Sequence, residues 1–70
     1  MPERYSSEHI ISVLLSHGFM ETGHTGSHKK FRRDNRVVIV PHPRKEIPVG
    51  TFGSILRQSG LKYLDFKKNR

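Results

Sequence analysis

The spacing of apolar residues predicts that the chain begins with an amphipathic helix over residues 5–19. Apolar side chains recur there at the three- and four-residue intervals of one helical face. The stripe consists of Ile10, Val13, Leu14 and His17, and it is widened by Ile11 and Leu15. Ser6 or Ser7 can cap the start of this helix, and Gly18 is suited to end it.

The next part of the chain follows the two-residue period of β-strands. The pattern predicts a short strand over residues 19–24 and then a hairpin with arms 28–33 and 36–40. Asp34 and Asn35 connect the two arms, and both residue types tolerate the left-handed backbone angles of tight turns.

Alternation along residues 28–33 sorts the side chains onto two faces. Phe31 is expected to point into the core, with Lys29 and Arg33 on its side. The opposite, open face then carries one imidazole and two cations, those of His28, Lys30 and Arg32.

The second half of the chain combines an apolar strand with a second helix. Residues 37–40 are apolar on both faces, so the strand is either covered or offers its outer face to a partner. A proline-rich loop follows over residues 41–50. The second helix is predicted from a Thr51 cap to a Gly60 stop, with a further turn over 61–66. Its apolar stripe is Phe52, Ile55 and Leu56.

This order of elements predicts one α+β domain over residues 1–70 with α-β-β-β-α topology. A three-stranded antiparallel sheet with both helices on one face buries one side and leaves the other open. That architecture is the one found in double-stranded-RNA-binding domains.

The charge balance points to a polyanionic partner. Thirteen Lys and Arg residues against six Asp and Glu residues give a net charge of +7, which favours nucleic acid. A membrane partner is not expected, since the helices lack a basic face opposite a broad apolar one. Cysteine is absent, and the first residues lack the apolar segment of a signal peptide, so we expect a cytoplasmic protein.

His28 is the candidate for chemistry, because imidazole exchanges a proton near neutral pH. In RNA the 2′-hydroxyl lies beside the scissile phosphate, and a base that removes its proton starts cleavage. Lys30 and Arg32 could hold the phosphate and stabilise its growing charge. Ser27 and the backbone of Gly26 could add hydrogen bonds at a turn where small residues permit close approach.

No metal or other cofactor is expected. His24 and His28 have the spacing of metal ligands on a helix, but they lie in a predicted extended segment, and the six carboxylates are scattered along the chain. On the residues alone, His28 could also be a solvated histidine. The chain would then be a non-catalytic double-stranded-RNA-binding module or a basic structural protein such as a ribosomal component.

Short motifs in order along nearly the whole chain resemble the HicA family of toxins from bacterial toxin–antitoxin pairs. They are Gly18-Phe19, Gly26-Ser27-His28, Val40-Pro41, Lys45-Glu46-Ile47, Gly50-Thr51, Ile55-Leu56-Arg57-Gln58 and Gly60-Leu61. The resemblance implies a fold like a double-stranded-RNA-binding domain and an endoribonuclease that cuts mRNA and inhibits translation. It also implies a HicB-like antitoxin that blocks the active histidine.

The family's catalytic histidine falls on His28. The basic strand beside it, the small-residue turn before it and the proline-rich loop give a predicted set of RNA-contacting residues, in which His42 could equally be a solvated loop residue. They are Gly26, Ser27, Lys29, Lys30, Arg32 and His42.

Overall fold

The computed structural model describes residues 4–67, and its elements follow the predicted α-β-β-β-α order. They are α1 (Ser7–Ser16), β1 (Met20–Thr25), β2 (His28–Arg33), β3 (Arg36–Pro41), α2 (Val49–Ser59) and a short α3 (Tyr63–Phe66). The three strands form one antiparallel sheet in the order β1-β2-β3, so β2 is the central strand. Within residues 4–67, no helix is both long and apolar enough to cross a membrane.

The core lies between one face of the sheet and the helices. Phe31 of β2 is buried together with Val38 and Val40 of β3, as the alternation predicts. The helices cover these side chains with their own apolar residues, which include Ile10, Leu14 and Ile55. Both helices therefore pack on one face, and the opposite face of the sheet is open, which confirms the predicted architecture.

The ends of α1 follow from its capping residues. The Ser6 hydroxyl accepts a hydrogen bond of 3.1 Å from the first turn. At the other end Gly18 adopts a φ of 91°, and the Phe19 N–H reaches back to the Leu14 carbonyl at 3.0 Å. Leu15 was predicted to widen the buried stripe, but it is 51% exposed because it lies on the outer side of the helix.

The predicted start of α2 is wrong by three residues. Thr51 does not cap the helix, which begins at Val49 directly after Pro48. The first helical hydrogen bond runs from the Phe52 N–H to the Pro48 carbonyl at 2.9 Å. Proline suits the entry to a helix because its φ is already helical and its missing N–H would have no intrahelical partner. Gly60 ends the helix at a φ of 74°, as predicted.

The segment before α1 pairs with the loop after β3. The Ile47 N–H donates to the Tyr5 carbonyl at 2.8 Å, and the Ser7 N–H donates to the Arg44 carbonyl at 2.9 Å. Tyr5 and Ile47 are both buried, and the Tyr5 ring lies 5.5 Å from that of Phe52. These contacts tie the loop to α1 at the end of the sheet where β2 begins.

Candidate active site on the open face of the sheet

The open face combines a cationic row with an apolar row. His28, Lys30 and Arg32 are all exposed along β2. Directly paired residues of antiparallel strands lie side by side on one face. The β3 residues paired with this row are apolar, namely Pro41 beside His28, Ile39 beside Lys30 and Val37 beside Arg32. The predicted grouping of an imidazole with two cations is therefore present on the face that the helices leave open.

His28 lies at the start of β2, between Thr25 of β1 and Pro41 of β3. Its side chain is exposed, and within residues 4–67 it forms no hydrogen bond or ion pair. Its lateral neighbours are a small hydroxyl residue and a proline ring, neither of which carries charge. The imidazole is thus accessible to water and to a bound substrate.

The two cations beside His28 have no acidic partner on the open face. Arg32 donates from Nε to the Asp34 carbonyl at 3.1 Å, which leaves its other N–H groups available. The Lys30 ammonium forms no ion pair within the described part of the chain. Since the strand pairing brings no carboxylate to this face, its positive charge is uncompensated and suits a phosphate group.

Lys29 lies on the other side of the sheet. It is half-buried, and its Nζ lies 3.6 Å from the Glu21 carboxylate. Glu21 pairs with the inward-facing Phe31, which places this ion pair at the edge of the covered face. The structure therefore does not bring Lys29 together with His28, and its RNA contact stays a prediction.

Gly26 and Ser27 form the two-residue turn between β1 and β2. Gly26 has a φ of 57°, and a Cβ added there would meet nothing within 4 Å. The backbone angle, rather than lack of space, is thus what favours glycine, as at the first central position of type II′ hairpin turns. Ser27 is exposed and directly precedes His28.

His42 reaches this turn through its backbone only. Its N–H donates to the Ser27 carbonyl at 2.7 Å. Pro41 shares the open face with His28, so the next side chain points to the helix side, where His42 Nδ1 lies 2.7 Å from the buried Ser7 hydroxyl. The structure thus brings His42 next to Ser27 but places its ring away from the His28 face.

The sequence did not indicate that His24 contacts the turn before His28. Its Nε2–H donates to the Gly26 carbonyl at 2.9 Å. The only signal would have been a histidine two residues before a turn glycine, which on its own is a common arrangement. As for metal binding, no group of three His, Cys, Asp or Glu residues within 4–67 could hold an ion.

His9 in α1 and His17 directly after it contact the C-terminal part of the chain. His9 donates from Nε2 to the Phe66 carbonyl at 2.6 Å. His17 donates from Nδ1 to the Val13 carbonyl at 2.9 Å, and its Nε2 lies 3.9 Å from Asp65. Both lie in the helical layer.

Comparison with known families identifies the chain. The family model described as HicA toxin of bacterial toxin-antitoxin matches residues 7–61. The chain belongs to the HicA toxin family. The match runs from the start of α1 past the end of α2, so it includes the whole sheet and His28. Comparison with curated proteins finds no match.

Membership confirms the resemblance seen in the sequence motifs. It gives this HicA chain a toxin role in a bacterial toxin–antitoxin system, and it implies an antitoxin partner.

Proposed function

We propose that this HicA toxin is an endoribonuclease that cleaves mRNA and inhibits translation, with His28 as the general base or acid. The observation that carries the proposal is the exposed imidazole of His28, which has no side-chain partner among residues 4–67, next to two cations that face no carboxylate of that range. Lysine and arginine suffice for a surface that only binds phosphate, whereas imidazole is the side chain most often used for general acid–base catalysis.

The chemistry needs one proton-transfer group and a phosphate clamp. His28 takes the proton of the 2′-hydroxyl, the 2′-oxygen attacks the adjacent phosphorus, and the bond to the 5′-oxygen breaks. The leaving oxygen receives its proton from water or from the imidazolium just formed, because the open face is exposed and the His42 ring lies on the other side.

Lys30 and Arg32 divide the phosphate clamp between them. Residues two apart on a strand are separated by about 7 Å, so Lys30 lies next to the phosphate at His28 and Arg32 lies about 13 Å away. Lys30 therefore stabilises the charge that develops on the scissile phosphate, and Arg32 binds a neighbouring phosphate. The Ser27 hydroxyl and the glycine turn lie at the other end of the site.

The products of cleavage test this mechanism. The 2′-hydroxyl pathway yields a 5′-hydroxyl on one fragment and a 2′,3′-cyclic phosphate, or the 3′-phosphate formed from it, on the other. Cleavage should continue in excess EDTA, because His28 needs no metal-bound water for this step. Mass spectrometry of the fragment ends, with and without EDTA, measures both.

Ends that carry a 3′-hydroxyl and a 5′-phosphate would rule out attack by the 2′-hydroxyl. RNA binding with no cleavage under any of these conditions would indicate the non-catalytic RNA-binding module instead.

RNA affinity should depend strongly on salt, and the open face should contribute a defined share of that dependence. Each phosphate contact on single-stranded RNA adds about 0.7 to the slope of log affinity against log salt. The double variant Lys30→Ala/Arg32→Ala should therefore lower the slope by about 1.4. Fluorescence anisotropy with a short RNA across a salt series measures it.

The matched control is Lys45→Ala/Lys67→Ala, which removes the same charge from exposed positions outside the sheet. An equal loss of slope in the two double variants would mean that RNA is bound by the whole surface rather than by the open face.

The open face also suits a HicB-like antitoxin, which we propose covers His28. Val37 is 36% exposed and Ile39 half-buried, so an apolar row borders the cations. An acidic partner with apolar side chains complements both rows. Added in excess, the antitoxin encoded next to the toxin gene should abolish RNA cleavage.

Val37→Ala should weaken the complex about fivefold, since it removes apolar surface that the partner buries. The control is Leu64→Ala on α3, which is 72% exposed but lies away from the sheet. Calorimetry measures both dissociation constants. If the Leu64 variant weakened the complex and the Val37 variant did not, the antitoxin would bind the helical side.

A further inference from the structure

We infer that His24 is a positioning residue for the reaction. Its imidazole holds the Gly26 carbonyl and thereby fixes the Ser27 N–H as a hydrogen-bond donor to the phosphate on which His28 acts. The inference rests on the proposed ribonuclease function, because RNA supplies that phosphate. It adds a residue and a backbone donor to the site.

The hydrogen bonds of the turn leave its N–H groups available. The Gly26 carbonyl accepts from His24 Nε2–H at 2.9 Å, and the Ser27 carbonyl accepts from the His42 N–H at 2.7 Å. Each carbonyl group of the turn thus accepts a hydrogen bond, the first from a residue of β1 and the second from a residue of the loop after β3. Within residues 4–67, no hydrogen bond uses the backbone N–H of Ser27, and the residue is exposed.

Because a peptide group is planar, a hydrogen bond that fixes its carbonyl also fixes the orientation of its N–H group. The Gly26 carbonyl and the Ser27 N–H belong to one planar trans peptide, so they point in opposite directions. When His24 fixes the carbonyl, it also fixes the N–H. Without His24, this peptide lies in an exposed turn next to glycine, whose backbone is the most permissive of any residue.

The second hydrogen bond fixes the following peptide. The Ser27 carbonyl and the His28 N–H share the next plane, so the bond from the His42 N–H sets the direction in which β2 begins. His42 is itself held, because its ring lies 2.7 Å from the Ser7 hydroxyl, which also accepts a hydrogen bond from the Arg44 N–H at 3.0 Å. The Ser27 N–H and the His28 side chain are therefore presented from two successive, anchored peptides.

His24 itself is not placed to touch the reacting phosphate. It pairs with Lys29, whereas Thr25 pairs with His28, so alternation directs the His24 side chain away from the open face. Its effect on cleavage must pass through the Gly26–Ser27 peptide, which is what distinguishes a positioning residue from a catalytic one.

The kinetic test compares two substitutions of His24. His24→Ala should lower kcat about tenfold and change KM by less than about twofold, since an aimed donor matters most as charge develops on the phosphate. His24→Gln, whose side-chain amide can donate to the same carbonyl, should restore kcat to within about threefold of the wild type. Leu64→Ala on α3, which is 72% exposed and lies away from the sheet, serves as the control and should leave both constants unchanged.

A binding test separates this inference from the proposed function. A 2′-deoxy oligonucleotide offers phosphates but lacks the attacking hydroxyl, so it can be titrated without cleavage. In ¹H–¹⁵N spectra of the wild-type protein, the Ser27 amide proton should move downfield as the oligonucleotide binds. The movement should shrink in His24→Ala and return in His24→Gln.

A Ser27 amide that does not respond in the wild type would overturn the inference, as would equal kcat values for His24→Ala and the wild type. A glutamine variant no better than alanine would do the same. If the wild type fails to cleave RNA, the proposed function fails, and the Ser27 response to the oligonucleotide still decides whether the turn binds phosphate.

Discussion

His28→Ala should lower the rate of RNA cleavage by about a hundredfold or more, the usual contribution of a proton-transfer group. Growth arrest on expression should be lost with it. The physical reason is that the open face offers no substitute, since its other polar groups are a lysine, an arginine and small hydroxyl side chains. Single-turnover cleavage of a labelled RNA measures the rate directly.

Two further measurements show whether the loss is chemical. RNA affinity should fall only slightly, because the proposed phosphate clamp consists of Lys30 and Arg32. The free energy of unfolding should change by no more than about 0.5 kcal/mol, since His28 is exposed and makes no side-chain hydrogen bond within residues 4–67. Thr25→Ala, its neighbour on the same face, is the control and should cleave normally.

Near-wild-type cleavage by the His28→Ala protein would place the chemistry elsewhere. Loss of activity together with loss of cooperative unfolding would make His28 a structural residue.

The central hairpin could be predicted from the sequence because its register has a strong physical constraint. A slip of one residue would bury the charges of Lys30 and Arg32 and expose the ring of Phe31, and each change would reduce the free energy of unfolding. The same constraint placed His28 on the open face. Once the turn at Asp34 fixed the pairing, the apolar neighbours Pro41 and Ile39 followed from the register.

The contacts around the proline-rich loop could not be predicted in the same way. Tyr5 and Ile47 belong to the core, and Ser7 is buried beside His42. Tyr5 and Ser7 are not part of the apolar stripe of the predicted first helix, and Ile47 lies in the proline-rich loop. These contacts join segments more than thirty residues apart in sequence. They depend on how the loop folds back onto α1, which hydrophobic spacing does not encode.

The hydrogen bonds that hold the Gly26–Ser27 turn could not be predicted from the sequence. The residue types at positions 26–28 indicate close approach to a phosphate. They do not show which groups hold the two carbonyls, because that depends on the dihedral angles of the turn and on the distant loop. This is why His24 and the backbone of His42 emerge only from the structure.

Phe31→Ala should remove toxicity by unfolding the protein, whereas His28→Ala should remove it by stopping the chemical step. Phe31 lies three residues further along β2 on the inward face, where its side chain is 1% exposed among Ile10, Leu14 and Val38. Truncating a buried phenylalanine costs about 3–5 kcal/mol through lost burial and the cavity left behind. A domain of 70 residues has little more stability than that to lose, so much of the protein should be unfolded at 37 °C.

Thermal unfolding followed by circular dichroism, together with amide dispersion in NMR spectra, measures this effect. Phe31→Leu is the matched variant, because it keeps an apolar side chain at the site and should retain a cooperative transition and most of the cleavage activity. The two variants then distinguish the site from the core on one strand. We expect the His28 variant to be folded and inactive, and the Phe31 variant to be inactive because it is unfolded. A Phe31→Ala protein with the wild-type melting temperature would show that this side chain is not in the core. The assignment of His28 to the open face would then fail as well, because the same alternation along β2 places both residues.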